Sequence, residues 1–344
     1  MDRRCGGMEF RRGCTLLVPD PPSVGSEDAQ RPPDPGDIAA WRTAINQTTG
    51  WDLHKLPDLD QQLRAAKEPV AMVVMVGLDR YPPFAIRTAL LRTYPREIAD
   101  GLDLIARITN AGQKLMLLPK ATKGLRANRR IARERNTGIL HQDLVYPAGD
   151  PTLVAWHAAT AGRRRLKPGQ NPVEIGLILV DPWICARLGR WIKHQRLDRA
   201  RPVWLAQRAE DTDGQIQWLM PGQIPQALSG PEHQLVMGDP LSGVSMSPAQ
   251  GLAPGAEAVF RAPPEKTRPT PEPCISCGWC ADVCPTHLRP LELVKRVENG
   301  QLKDPGLDWC LDCGLCTQVC PSGIDLATPL RSRHGADACE EPGP

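Results

Sequence analysis

The chain has 344 residues, enough for one large domain or two modest ones. Its formal net charge of +3 carries no global nucleic-acid signal, and its apolar content of 41% suffices for a core. No apolar run approaches the ~18–20 residues of a membrane helix; the longest, Val70 to Leu78, has the length of a strand, so no transmembrane segment is expected.

Residues 1–37 are rich in Pro, Gly and charge and read as a Pro-rich disordered arm. Asp37 suits the cap of a short helix that carries Trp41 and Ile45. An α/β rhythm follows and defines a predicted domain over 38–199. Val70–Val76 is a continuous apolar run, as in a strand buried on both faces. Arg96–Ala111 has helical periodicity, with Ile98, Leu102, Ile105, Ala106 and Ile108 on the buried face and Gly112 as its stop. Lys114–Leu118 reads as a strand, Leu125–Arg135 as a helix ended before Gly138, Leu144–Pro147 as an extended segment and Pro151–Ala161 as a helix. Ile175–Val180 is the clearest later strand, and Trp183–His194 the helix after it. Strands alternating with helices predict a parallel sheet with helices on both faces.

Residues 200–261 change character. Short β-like pieces, Pro202–Ala206 and Gln215–Leu219, are broken by Pro and Gly and predict a small β-rich module. Residues 262–273 form a proline-stiffened linker, 274–331 a mostly helical ferredoxin-like domain, and 332–344 a disordered tail. Two basic clusters stand out: Lys120, Lys123, Arg126, Arg129, Arg130, Arg133 and Arg135, then Arg163, Arg164, Arg165 and Lys167. They could meet an acidic partner or an anionic surface, but charge runs more often form solvated faces. The phosphate-binding pattern G-x-G-x-x-G is absent, and an α/β sheet alone does not license nucleotide binding.

The chemistry is concentrated near the C-terminus, in two copies of C-x2-C-x2-C-x3-C-P. The first is Cys274, Cys277, Cys280 and Cys284 before Pro285; the second is Cys310, Cys313, Cys316 and Cys320 before Pro321. This is the bacterial ferredoxin run for a [4Fe–4S] cluster, in which the fourth cysteine ligates the other cluster. The expected ligand sets are therefore crossed: Cys274, Cys277, Cys280 and Cys320 on one cluster, Cys310, Cys313, Cys316 and Cys284 on the other. Gly278 and Gly314 sit at matching places where the backbone must pass close to a bulky group. Structural zinc is the blander alternative, but it uses four ligands, usually as two separated pairs. A disulfide framework fits less well, because such spacings in an intracellular protein read as metal sites. Pro290–Glu298 predicts an amphipathic helix whose Leu291, Leu293, Val294 and Val297 cover the clusters, with Ile324 and Leu326 closing the far side. Trp279 and Trp309 flank the clusters and are expected to pack. Cys5, Cys14, Cys185 and Cys339 lie outside the motifs and read as idle thiols.

The order of parts resembles the RnfC component of the Rnf electron-transport complex, a family related to the flavin-binding subunit of complex I and to cobalamin reductases. Besides the cysteines, the resemblance rests on Met237-Gly238-Asp239-Pro240-Leu241-Ser242-Gly243, on Tyr146-Pro147-Ala148-Gly149 and on the Ile175–Trp183 strand and turn. It spans roughly residues 50–331. It implies two [4Fe–4S] clusters and partner redox subunits, including those of a membrane-bound electron-transport complex. It also implies an FMN and NADH site, and there the sequence departs from the family. The glycine-rich loop before the first long strand is matched by Trp51–Pro57, which holds no such glycines. The acidic turn after that strand is matched by Gly77-Leu78-Asp79-Arg80-Tyr81-Pro82-Pro83, where only Asp79 keeps a carboxylate. Without the glycines a flavin phosphate cannot approach the backbone, so FMN and NADH binding is not expected and the domain reads as a degenerate Rossmann-like scaffold.

The leading expectation is an iron–sulfur subunit that relays single electrons in a larger oxidoreductase, with no catalytic residues of its own. It would lie in the cytoplasm, at the inner face of a membrane complex. One alternative is an FMN- and NADH-dependent dehydrogenase with a divergent cofactor loop. Another is a non-redox interaction protein that its clusters staple together.

Overall fold

In a computed structural model the described residues are 17–21, 31–48, 57–120, 122–209, 211, 214–228, 234–246, 251–262, 270–301 and 306–336, the side chains of 332–336 excepted. Two helices lead in, α1 (Ile38–Gln47) and α2 (Leu59–Ala65). The α/β body continues with β1 (Met72–Val76), α3 (Ile86–Thr93), α4 (Pro95–Ile108), β2 (Gln113–Pro119), α5 (Arg126–Glu134), β3 (Gly138–Gln142), α6 (Pro151–Ala161), β4 (Leu177–Val180) and α7 (Pro182–His194). All four strands are parallel, in the order β3-β2-β1-β4. That order fixes a topological switch point between β1 and β4, since the chain winds outward through β2 and β3 and then returns to the other side of β1.

β1 is buried along its whole length because both of its faces are covered. Val73 and Met75 join a core built with α1 to α5 and α7. Met72, Val74 and Val76 join a second core under α6, through Val154, Ala155, Ala158 and Ala159. Helices thus lie on both faces, unequally divided. α4 and α7 cross closely at two glycines: a Cβ on Gly101 would lie 1.9 Å from the Cys185 carbonyl oxygen, and one on Gly189 2.0 Å from that of Glu97. Asp37 caps α1 by accepting from the Ala40 N–H. Trp41, Trp183, Trp191 and Trp204 are buried in the larger core, which gives four of the unusually frequent tryptophans a structural role.

A second sheet holds β5 (Arg201–Ala206), β6 (Gln215–Leu219), β7 (Gln234–Met237), β8 (Val244–Ser245) and β9 (Ala258–Ala262), in the order β6-β5-β9-β7-β8. Trp204, Ala206, Ala258 and Phe260 on one face belong to the larger core of the α/β body. Val203, Leu205 and Val259 on the other face form a small core with Leu219, Leu228 and Leu252. The C-terminal region carries α8 (Trp279–Asp282), α9 (Pro290–Glu298), α10 (Leu315–Gln318) and α11 (Ala327–Ala336) around Leu293, Val294, Leu307, Leu326 and Leu330.

Several expectations are corrected. A helix, α3, occupies a stretch to which the sequence reading assigns no element; it is separated from α4 only by Tyr94, and Pro95 opens the next helix at its first turn. The extended segment expected at Leu144–Pro147 is not a strand. The strand is β3, at the sheet edge, whose half-exposed residues give no apolar run to read. Parts of the arm are held to the body: Val18 is buried and donates its N–H to Thr93, the Trp218 indole donates to the Pro19 carbonyl, and Arg107 to that of Pro35. The rest of the arm, residues 51–56 and most of the linker lie outside the described residues. The expected tail begins as the last turns of α11. No described helix is long and apolar enough to cross a membrane.

Candidate metal centres

The two cysteine motifs trace the same path twice. In each copy the backbone turns left-handed at three matching positions: Ser276 and Asp312 (φ 55° and 51°), Gly278 and Gly314 (φ 80° and 78°), His287 and Gly323 (φ 56° and 65°). Left-handed backbone at Ser, Asp and His is strained and persists where the surroundings demand it. Each of Gly278 and Gly314 opens a one-turn helix, α8 or α10.

Two cavities result. One, of about 280 Å³, is lined by Cys274, Cys277, Cys280 and Cys320, with Leu291, Ile324 and Leu326 among its apolar walls. The other is lined by Cys284, Cys310, Cys313 and Cys316, with Leu288, Leu293 and Leu330. The space it encloses is the smaller of the two, about 30 Å³. Four thiols around a shared apolar cavity, twice over, is the donor set a cubane requires. Among the described residues no three His, Cys, Asp or Glu side chains converge on the place of a single metal ion.

The two sites differ in exposure. Residues 271–279, Cys274 and Cys277 included, are all exposed, whereas the four cysteines of the second site are partly covered. Burial pushes the Cys313 thiol up to about 12 and the Cys316 thiol up to about 11, against backbone N–H groups of Leu315 and Thr317 that favour the thiolate. Burial also raises Cys280, against the Leu291 N–H. Loading metal into such sites must release the protons those thiols hold. Leu293 and Val294 on α9 are buried beside the sites as expected, with Pro290 at its first turn and Gly300 (φ 75°) just past its end. Trp279 departs from expectation: it is 54% exposed rather than packed. Cys185 is buried in α7 and well raised by desolvation; Cys5, Cys14 and Cys339 lie outside the described residues.

The second site is bound to the α/β body by the segments that carry the sequence resemblance. The Tyr146 hydroxyl lies 2.6 Å from the Cys313 carbonyl oxygen and 3.1 Å from an oxygen of Asp239. Asp239 organises its own turn, accepting from the N–H groups of Leu241 and Ser242 and from the Ser242 hydroxyl. Arg331 donates to the carbonyls of Leu241 and Asp312. Gly149 is a glycine because a Cβ there would lie 2.3 Å from the Leu78 carbonyl oxygen, and Gly243 because one would lie 2.5 Å from that of Asp239.

Beneath this joint, at the switch point where α/β folds bind ligands, lies a buried ionic network. Arg80 stands between Asp150 and Asp239, at 3.6 and 3.7 Å. Arg87 pairs with Glu257 at 2.9 Å and donates to the carbonyls of Leu78 and Gly149; Arg201 faces Asp181 at 3.7 Å. Asp79 does not face the crevice. Its oxygens accept from the Arg87 N–H (2.7 Å) and the Thr88 hydroxyl (2.5 Å), capping α3 from a distance. Burial pushes its carboxyl up to about 7, against the Thr88 and Arg87 donors and the Arg87 charge. The neighbouring cavity, lined by Arg80, Phe84, Asp239 and Glu257 among others, measures about 150 Å³, below the roughly 300 Å³ at which small-molecule pockets begin. Of this network, Asp79, Arg80 and Asp239 fall in segments that the sequence singles out. The Asp-Pro pairs Asp150-Pro151 and Asp181-Pro182 are a further legible signal, since both aspartates cap helices.

The basic residues of α5 and of 163–167 lie largely exposed, as a solvated face would. Arg130 pairs with Glu134, and Arg135 with Asp100 and Asp103.

Residues 263–324 match the 4Fe-4S dicluster domain family. A search of curated proteins gives no significant match. Among solved structures, the chain is similar to a chain of an NAD+-reducing [NiFe]-hydrogenase in the air-oxidized state, with a TM-score of 0.54 and 16% identity over 87% of this chain and 60% of that one. For a chain of such an enzyme in the H2-reduced state the values are 0.56 and 14%, over 90% and 64%. At these identities the likeness is one of fold, and this chain spans less than two thirds of the length of either.

Proposed function

We propose that this chain, which carries a 4Fe-4S dicluster domain on an α/β body, is an electron-transfer subunit of a larger oxidoreductase and relays single electrons through two [4Fe–4S] clusters. The observation that carries this reading is the repeated cavity, each copy bordered by three cysteines of one motif and the fourth of the other. In this reading Cys274, Cys277, Cys280 and Cys320 hold one cluster, and Cys310, Cys313, Cys316 and Cys284 hold the other. Bound clusters supply one-electron storage at potentials set by burial and hydrogen bonds. The chain's own residues ligate iron through thiolates, aim backbone N–H groups at sulfur and exclude water with Leu291, Leu293 and Leu326.

The finer assignment is a protein like the RnfC component of the Rnf complex, supported by the meeting of Tyr146, Asp239 and Leu241 at the second site. Its partners would be other redox proteins, at the inner face of a membrane from the cytoplasm. The α/β body would be a scaffold with a degenerate nucleotide site: Arg80 and its two carboxylates fill the switch point, and the space beside them is small for a flavin. A second reading, an FMN- and NADH-dependent dehydrogenase, draws on the fold shared with a chain of an NAD+-reducing hydrogenase. Anaerobic purification with iron, sulfide and flavin analysis separates the two. The relay reading expects about eight irons per chain and no flavin; stoichiometric FMN with bleaching by NADH overturns it.

A further inference from the structure

The two cysteine cavities sit in unequal surroundings. The loop 271–279 at the first is exposed throughout. The second is pressed onto the α/β body, with the Tyr146 hydroxyl on the Cys313 carbonyl and the Arg331 guanidinium on the Asp312 carbonyl. Arg80, buried with Asp150 and Asp239, is within Coulombic reach of both Tyr146 and Cys313.

We propose that Arg80 and Tyr146 are positioning residues that set the reduction potential of the centre held by Cys284, Cys310, Cys313 and Cys316, and leave the other centre unaffected. The proposal rests on the dicluster reading above. A one-electron reduction adds a negative charge to the centre, and a cation held in a low-dielectric interior favours that charge far more than one in water. Asp150 and Asp239 oppose this with their own charges, so Arg80 is what keeps the pair of carboxylates from lowering the potential. The Tyr146 hydroxyl has one proton, which goes to the nearer acceptor at Cys313. Its dipole therefore points its positive end at the ligand loop. The first centre, with Cys274 and Cys277 exposed, has no such partner from the α/β body among the described residues, and water screens the charges near its open side. A charge at residue 80 thus acts on one centre alone, and the α/β body can shift the balance of electrons between the two.

The test is an anaerobic potentiometric titration of the full chain, followed by electron paramagnetic resonance, with Cys277→Ser used to identify the first centre by its loss. Arg80→Gln is expected to lower the second midpoint so that the reduced-to-oxidised ratio at fixed potential falls at least about tenfold, about 59 mV for a one-electron couple, with the first midpoint unmoved. Arg80→Lys, which keeps the charge, should restore most of the shift. Tyr146→Phe should move the same centre in the same direction by about threefold, or about 28 mV on that scale. It removes one oxygen and decides the matter should Arg80→Gln fail to fold. An unmoved second midpoint in Tyr146→Phe, or equal shifts of both centres in either variant, overturns the proposal. Iron content is measured on the same samples: a wild-type chain without two clusters overturns the dicluster reading instead.

Discussion

Gly314 passes so close to Leu241 that a Cβ on it would lie 2.4 Å from the Leu241 carbonyl oxygen. Its counterpart in the first motif, Gly278, has the same left-handed backbone but nothing within 4 Å of that position. The repeat is thus symmetric in backbone and asymmetric in surroundings, because only the second copy is docked on the turn of Asp239. Gly278→Ala should cost roughly 1–2 kcal/mol, the strain of a left-handed alanine. Gly314→Ala adds a backbone collision to the same strain and should cost about 3 kcal/mol or more. Anaerobic thermal unfolding of the two variants checks this; equal losses would mean that the second motif is not seated on Leu241.

The crossed ligand sets predict which double variants lose more than single ones. Cys277→Ser and Cys320→Ser border the same cavity, so each should remove about four irons, and the double variant no more than about four. Cys277→Ser combined with Cys284→Ser spans both cavities and should remove about eight. Iron analysis after anaerobic reconstitution reads both. An uncrossed arrangement reverses the pattern.

Asp79 should make stability depend on pH near neutrality. Its carboxyl is raised by burial from 3.8 to about 7. Between those values the folded protein holds a proton that the unfolded chain has released, so the stability it lends is complete below about pH 4 and is lost as pH rises through about 7. Relative to Asp79→Asn, the wild type should therefore lose roughly 4 kcal/mol from pH 4 to pH 7 and little beyond. Denaturant midpoints of both proteins, taken anaerobically at pH 4, 5, 6, 7 and 8, measure the difference. A wild type that gains on the variant as pH rises contradicts a carboxyl held protonated.

The cysteine repeat was legible because ligand spacing is local: three ligands within seven residues and a fourth just beyond dictate a loop around a cluster, whatever surrounds it. β1 and β4 were legible as apolar runs, since a strand buried on both faces has no polar side to show. β3 was not, for its edge position leaves Gly138–Gln142 half exposed. The switch-point network was illegible for another reason. Arg80, Asp150 and Asp239 are far apart in sequence, and no periodicity marks a charge that will be buried against a distant one. The same holds for Tyr146, which the resemblance singled out as part of a motif but which only the fold places on Cys313. Asp79 looked like a surviving ligand carboxylate, and the fold turns it into a helix cap.

The most direct measurement is the number of electrons the anaerobic full chain takes up in a reductive titration with a low-potential one-electron donor, read against its iron and flavin content. A two-cluster relay takes up about two electrons per chain against about eight irons, with no flavin and no reduction by NADH. Uptake of about four electrons with bound FMN, or bleaching by NADH alone, would show a flavin site in the α/β body and contradict the relay.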